Sequence, residues 1–348
     1  MPGLRPRQSP KPGSGSIDGV LVVAVGGSTA GALVADGSIA GVLVEVDGSI
    51  GGKRHSGSIC VSEEAYPSLR ILPSALAETQ GDLPFVAIVR SREEFCRWLR
   101  DPLPGLKWLQ VEGILGDSEA WIEAAHDDSH IPLDVVLSDP ASEFSDLYRL
   151  VDACAVREIR VTVPAAPGLA KAVRLAAALR LPVRVLPGQP TGEVLEELYD
   201  ALEFYLHEPM VEAPVEFFHS LLATMGGADT GSLWMILEQD PDAFHHYDAN
   251  GEARLPRTGD SGPVAIAPAG FVEAHLNNLV AQGGECATCP WQQQCRGYFK
   301  WPNPAYSCEG IKRLFSSIQT AGNEIRRDMA GSAAADTEIL SDPGESRL

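Results

Sequence analysis

Four cysteines late in the chain, Cys286, Cys289, Cys295 and Cys308, have the residue type and the spacing to hold metal. They read Cys-x2-Cys-x5-Cys-x12-Cys, so four thiolates fall within 23 residues. The remaining three of the seven cysteines, Cys60, Cys96 and Cys154, are remote from these and from one another. Disulfides, a zinc ion and an iron–sulfur cluster compete to fill the set. Disulfides belong to oxidising compartments and to small domains that lack a core. A chain of 348 residues with an odd number of cysteines suits neither case. Structural zinc usually takes two tight Cys-x2-4-Cys knuckles, and only Cys286 with Cys289 makes one. A cluster is larger than an ion and tolerates wider, less symmetrical spacing. The spacing therefore favours one iron–sulfur cluster, with zinc as the alternative.

This segment, with Gly297-Tyr298-Phe299-Lys300 and Tyr306-x-Cys308, resembles the SPASM domain, the C-terminal extension of radical SAM enzymes that modify ribosomally made peptides. The resemblance implies that Cys286, Cys289, Cys295 and Cys308 ligate one auxiliary 4Fe–4S cluster. A second auxiliary cluster in that family uses a cysteine four residues after the run, where Phe299 stands here, and further cysteines upstream. Residues 264–272 are similar to the strand–turn–strand that leads into the family's Gly-x4-Cys, but the position five after Gly270 is His275. No cysteine lies between Cys154 and Cys286, so His275 reads as an ordinary polar residue. Radical SAM enzymes also need a Cys-x3-Cys-x2-Cys triplet to chelate S-adenosylmethionine and a Gly-Gly-Glu-Pro strand end. Neither occurs in these 348 residues; Gly283-Gly284-Glu285 runs straight into Cys286. The resemblance thus implies a degenerate relative without autonomous radical chemistry. It would be an iron–sulfur accessory protein of peptide modification, docking or relaying electrons beside a radical SAM enzyme or its precursor peptide. A divergent enzyme with other barrel chemistry and a zinc-stapled binding module are the competing readings.

The elements that must position the cysteines can be read upstream. Apolar runs at 85–89, 108–111, 133–137, 159–163 and 183–186 alternate with helical patterns. Ser91 and Glu94 form a capping box before the first helix. Ala170, Val173 and Ala177 mark a later helix, and Leu195, Leu198, Leu202 and Tyr205 another. Repeated strand–helix units imply parallel strands with right-handed crossovers. The expected fold class is therefore α/β, a partial, open β/α barrel over 84–258, with a flat doubly wound sheet as the runner-up. At the C-terminal strand ends, where barrel sites lie, stand Arg90, Glu112, Ser138, Asp139 and Pro164, which form no nucleophile–base set. Asp139 before Pro140 reads as a helix cap or turn. His245 and His246 are adjacent on a loop-like stretch and point apart, unsuited to a shared metal.

Residues 1–16 read as a disordered leader, 17–83 as a small β-meander and 259–329 as the cysteine-rich lobe. Residues 330–348 read as a disordered tail. The segment 17–83 carries a Gly-Ser-Ile quasi-repeat, and its Gly26-to-Gly31 stretch lacks the ending of a phosphate loop. Helices are expected over 215–225 and 233–239, and a stripe of Ile311, Leu314, Phe315, Ile318, Ala321 and Ile325 marks a helix after Cys308. Arg5, Arg7 and Lys11 precede a short apolar run that breaks at Gly26, too short for a signal peptide. A cytoplasmic protein without membrane spans is expected. The net charge of −20 repels phosphate backbones, which argues against nucleic acid, and favours a cationic peptide or a basic protein face.

Overall fold

The computed structural model of the chain describes residues 68–79, 83–258 and 269–341. Cys60, the Gly-Ser-Ile copies, nearly all of the expected β-meander and most of 264–272 lie outside them. Among the described residues nine strands form one sheet. They are β1 (Leu69–Pro73), β2 (Phe85–Val89), β3 (Leu106–Glu112), β4 (Leu133–Val136), β5 (Ile159–Pro164), β6 (Val183–Leu186), β7 (Val215–Glu216), β8 (Phe244–Tyr247) and β9 (Ala253–Arg254). Their order is β7-β6-β5-β4-β3-β2-β1-β8-β9. All neighbours pair parallel except β9, which runs antiparallel to β8. The sheet is not closed, since β7 and β8 share no ladder. From β1 to β7 the order advances without the reversal that defines a doubly wound sheet.

The helices that matter here are α1 (Arg92–Arg100), α2 (Ser118–His126), α3 (Leu169–Ala178), α4 (Gly192–His207), α5 (Phe218–Met225), α6 (Phe271–Ala281) and α7 (Glu309–Ser341). Alternation along each strand decides which residues meet them. Phe85, Ala87 and Val89 of β2 join Phe95, Trp98 and Leu99 of α1 in the main core. Val86 and Ile88 point the other way and pack with Ile71 and Trp108 in a second, smaller cluster. That two-sided burial explains why β2 is apolar throughout. Capping follows local chemistry. The Ser91 hydroxyl accepts the Glu94 N–H at 3.2 Å, while Glu94 reaches back to the Arg90 N–H at 2.9 Å, one residue beyond the usual box. Asp117 accepts the N–H groups of Glu119 and Ala120 and so starts α2.

The five expected strands are β2 to β6, but four strands went unread. β1 lies before the boundary expected at residue 84, and its ladders with β2 and β8 place it inside the sheet. The expected helix over 215–225 begins instead with β7, and α5 starts only at Phe218. The stretch holding His245 and His246 is a strand, because pairing with β1 overrides its weak local signal. At the far end, α7 runs on to Ser341, past residue 330 where a disordered tail is expected.

Candidate metal centre

The C-terminal lobe is built from short turns between α6 and α7. One 3-10 turn spans Glu285–Thr288, a single helical turn Gln292–Cys295 and another 3-10 turn Tyr298–Lys300. Two consecutive left-handed residues, Arg296 at φ 45° and Gly297 at φ 76°, reverse the chain between the last two. A Cβ on Gly297 would lie 2.8 Å from Leu279 Cδ1, so α6 can approach only a glycine here. Cys308 opens α7, its carbonyl accepting the Lys312 N–H at 2.8 Å.

These turns bring all four cysteines onto one small pocket, partly open to solvent. Trp291, Phe299 and Phe315 form its apolar wall, and Glu285, Lys300 and Lys312 its polar edge. The six described cysteines are all free thiols. Burial pushes Cys295 up to about 11, although the N–H groups of Phe299 and Tyr298 hydrogen-bond its sulfur and favour the anion. Burial likewise pushes Cys308 up to about 12 and raises Cys286. Glu285 goes the opposite way. Burial alone would raise it, but hydrogen bonds from Lys300 and Lys312 outweigh that and lower it to about 2. Its oxygens lie 2.5 Å from Lys300 Nζ and 2.7 Å from Lys312 Nζ, and one accepts the Cys308 N–H at 3.2 Å.

Among the described residues no three Cys, His, Asp or Glu side chains converge on a single ion position. A Zn–S bond of about 2.3 Å would set four sulfurs about 3.8 Å apart. The thiols here surround a space and do not gather at a point. Behind the Tyr298 turn lies Arg257. Its Cζ is 3.9 Å from the Tyr298 ring centroid and 5.2 Å from that of Trp234, and its Nη2 donates to the Tyr298 carbonyl at 2.9 Å. Among the described residues its Nε and Nη1 are buried without a hydrogen-bond partner. Four thiols thus line one pocket, and a buried guanidinium lies behind one of the turns that form it.

A second polar cluster occupies the sheet face that carries Ile71, Val86 and Trp108. Asp134 of β4 accepts from Arg160 of β5 at 2.8 Å, from Arg184 of β6 at 2.5 Å and from the Thr162 hydroxyl at 2.5 Å. Glu238, held at φ 57°, drops from the loop after the turn Leu233–Ile236. It accepts from Arg160 at 2.6 Å and also from Arg184. Burial would raise both carboxyls, but the two arginines hold them below the usual range. His246 points into this cluster with Nε2 3.2 Å from the Glu238 carbonyl, and burial lowers its pKa.

The other candidates read from sequence do not assemble a site. Arg90 pairs with Glu112 at 2.8 Å on the surface. Asp139 accepts the Ala141 N–H as a helix cap, as its position before Pro140 suggested. Ser138 only donates its N–H to Glu143, and Pro164 sits beside Leu186 in the ladder. His275 stacks on Phe271 and lies 3.2 Å from the Gly297 carbonyl, an ordinary packed histidine. Glu285, Lys312, Arg257 and the Asp134–Glu238 cluster escaped the sequence reading. Only Glu285 had a local signal, its adjacency to Cys286. No helix of the described residues is long and apolar enough to cross a membrane. Comparison of the chain with protein-family models, curated proteins and solved structures finds no match.

Proposed function

We propose that this chain is an iron–sulfur protein in which Cys286, Cys289, Cys295 and Cys308 hold one 4Fe–4S cluster in a SPASM-like lobe. Its sheet domain would be a non-catalytic relative of the radical SAM barrel. The observation that carries the reading is that all four thiols line one pocket. The cysteine spacing favours a cluster over zinc, the alternative. Lys300, Lys312 and the N–H groups at Cys295 would offset the charge of four thiolates. When bound, such a cluster supplies a one-electron redox site and ties the lobe's turns together.

Two features support the accessory role. The strand order would be that of a β/α ring interrupted between β7 and β8, with β8 returning to β1. On the face carrying Asp134, the charges that could act as acid or base are spent on one another. A partner enzyme of the radical SAM class, or its cationic precursor peptide, would then supply or receive the chemistry, steered by the net charge of −20.

Protein prepared without oxygen tests the assignment. About four irons and four sulfides per chain, with broad absorbance at about 400 nm, are expected. One zinc in a colourless protein would replace the cluster by the zinc-stapled module. Release of 5′-deoxyadenosine from S-adenosylmethionine and a reductant would overturn the non-catalytic role.

A further inference from the structure

We propose that Arg257 is the counter-charge of the four-cysteine centre, a positioning residue that makes the site retain an anionic sulfur-ligated group. The inference rests on the reading that the four cysteines bind such a group, and it holds for either filling. Four thiolates around one zinc ion, or around an oxidised 4Fe–4S core, leave about two negative charges. Lys300 and Lys312 face the cavity and share one carboxylate, Glu285, so together they leave one positive charge. Arg257 adds a second cation, with no carboxylate partner among the described residues.

A buried guanidinium needs partners for its charge and its donors. It cannot shed its proton and carries five donors, and a buried charge without a partner is destabilising by several kcal/mol. Natural proteins pair such groups with carboxylates. Here Nη2 has the Tyr298 carbonyl, while Nε and Nη1 have no partner among the described residues. The groups acting on its charge include Tyr298 and Cys295 but no described carboxylate. The faces of Trp234 and Tyr298 recover part of the lost hydration, as aromatic rings do for cations. The neighbouring chain is built to keep the group there. Arg257 has φ 65°, a left-handed backbone that L residues rarely adopt. The Pro256 carbonyl is fastened by Trp301 Nε1 at 2.8 Å, and the Thr258 hydroxyl donates to the Leu255 carbonyl at 2.8 Å. Tyr298 therefore touches the guanidinium with its ring and carbonyl while its N–H addresses the Cys295 sulfur. One turn links cation and ligand.

This arrangement makes the sign of the effect depend on loading. Without an anionic centre the Arg257 charge opposes folding; with one it favours retention. The test uses the full chain, prepared without oxygen, as wild type, Arg257→Met, Arg257→Lys and Asp260→Asn, the last altering the carboxylate nearest in sequence. Metal and sulfide per chain are counted, loss of metal to a chelator is timed, and thermal unfolding is followed for loaded and chelator-stripped protein. Arg257→Met should lose metal about tenfold faster, the scale of a support residue around a metal site. Its stripped form should unfold at or above the wild-type temperature. Arg257→Lys should recover most of the retention, and Asp260→Asn should change neither. Equal downward shifts of loaded and stripped Arg257→Met, with unchanged metal loss, would assign Arg257 a packing role only and overturn the proposal. So would an Asp260→Asn variant that reproduces the arginine effect. A wild type carrying no metal would instead remove the reading of the cysteine site itself, an outcome distinct from both.

Discussion

In the sheet, Asp134 and Glu238 divide Arg160 and Arg184 between them, and Thr162 takes the remaining carboxylate oxygen. In the C-terminal lobe, four thiols, one buried and three half-buried, share a pocket with two lysines. One glutamate serves both lysines, and Arg257 keeps two donors without a partner among the described residues. Both clusters put charge or latent charge where water is scarce. The first closes its own accounts within the fold; the second does so only with a ligand of opposite sign. A buried carboxyl held low by arginines is fixed as an anion and has no proton to trade near neutral pH. A buried thiol pushed up to about 11 or 12 stays protonated until a metal displaces the proton. The difference separates a polar set that specifies a fold from one prepared to receive something.

Several substitutions would sharpen or break this contrast. The largest effect should come from Cys295→Ser, one of the four proposed ligands, with iron retained per chain falling roughly tenfold or more. Retention equal to wild type in a metal assay would remove Cys295 from the ligand set. Next is Glu238→Gln, which leaves two buried guanidinium groups with one carboxylate. It should destabilise by about 3–5 kcal/mol in urea titration, without altering metal content. Replacing Asp134, Arg160, Arg184 and Glu238 together by apolar side chains of similar volume should be milder than the single change, since no charge is then stranded.

A smaller effect belongs to Glu285. Its folded value of about 2 lies below the usual glutamate value of about 4.3. Its contribution is therefore complete above about pH 4.3 and is lost as pH falls towards about 2. Glu285→Gln should flatten the acid limb of the stability profile by about 1 kcal/mol, a modest figure because the carboxylate is partly exposed. Stability curves that superimpose over that window would show that the lysines do not engage it in solution. Least of all, Arg90→Gln should shift the urea midpoint by an amount equivalent to less than about 1 kcal/mol, since the Arg90–Glu112 pair is in water.

How far these clusters could be read in advance follows from the range of their interactions. The cysteine set was legible because four cysteines sit within 23 residues. The strands β2 to β6 were legible as short apolar-rich runs, continuous in β2 and alternating with polar residues in β4 to β6. By contrast, β1 has an arginine at its second position, β7 is only two residues long, and β8 carries two histidines. Each is a strand because of its neighbours in the ladder. Glu238 reaches Arg160 across 78 positions, and Arg257 meets Tyr298 across 41. No local pattern announces a partnership at such separations. His246 shows the same limit: its pairing with Ile71 in the ladder turns it inward, and nothing beside it in sequence does so.

The helix that begins after Cys308 deserves to be followed to its far side. α7 lies along α5 closely enough that a Cβ on Gly322 would come within 3.1 Å of Met225 Cβ. Its first turn is tied to α4 by the Tyr199 hydroxyl, which donates to the Gly310 carbonyl. The proposed sulfur ligand Cys308 thus sits at one end of a long helix that rests on α4 and α5. Whatever tugs at that sulfur is felt a dozen residues along, so a reporter dye near position 322 would register loading without touching the cavity.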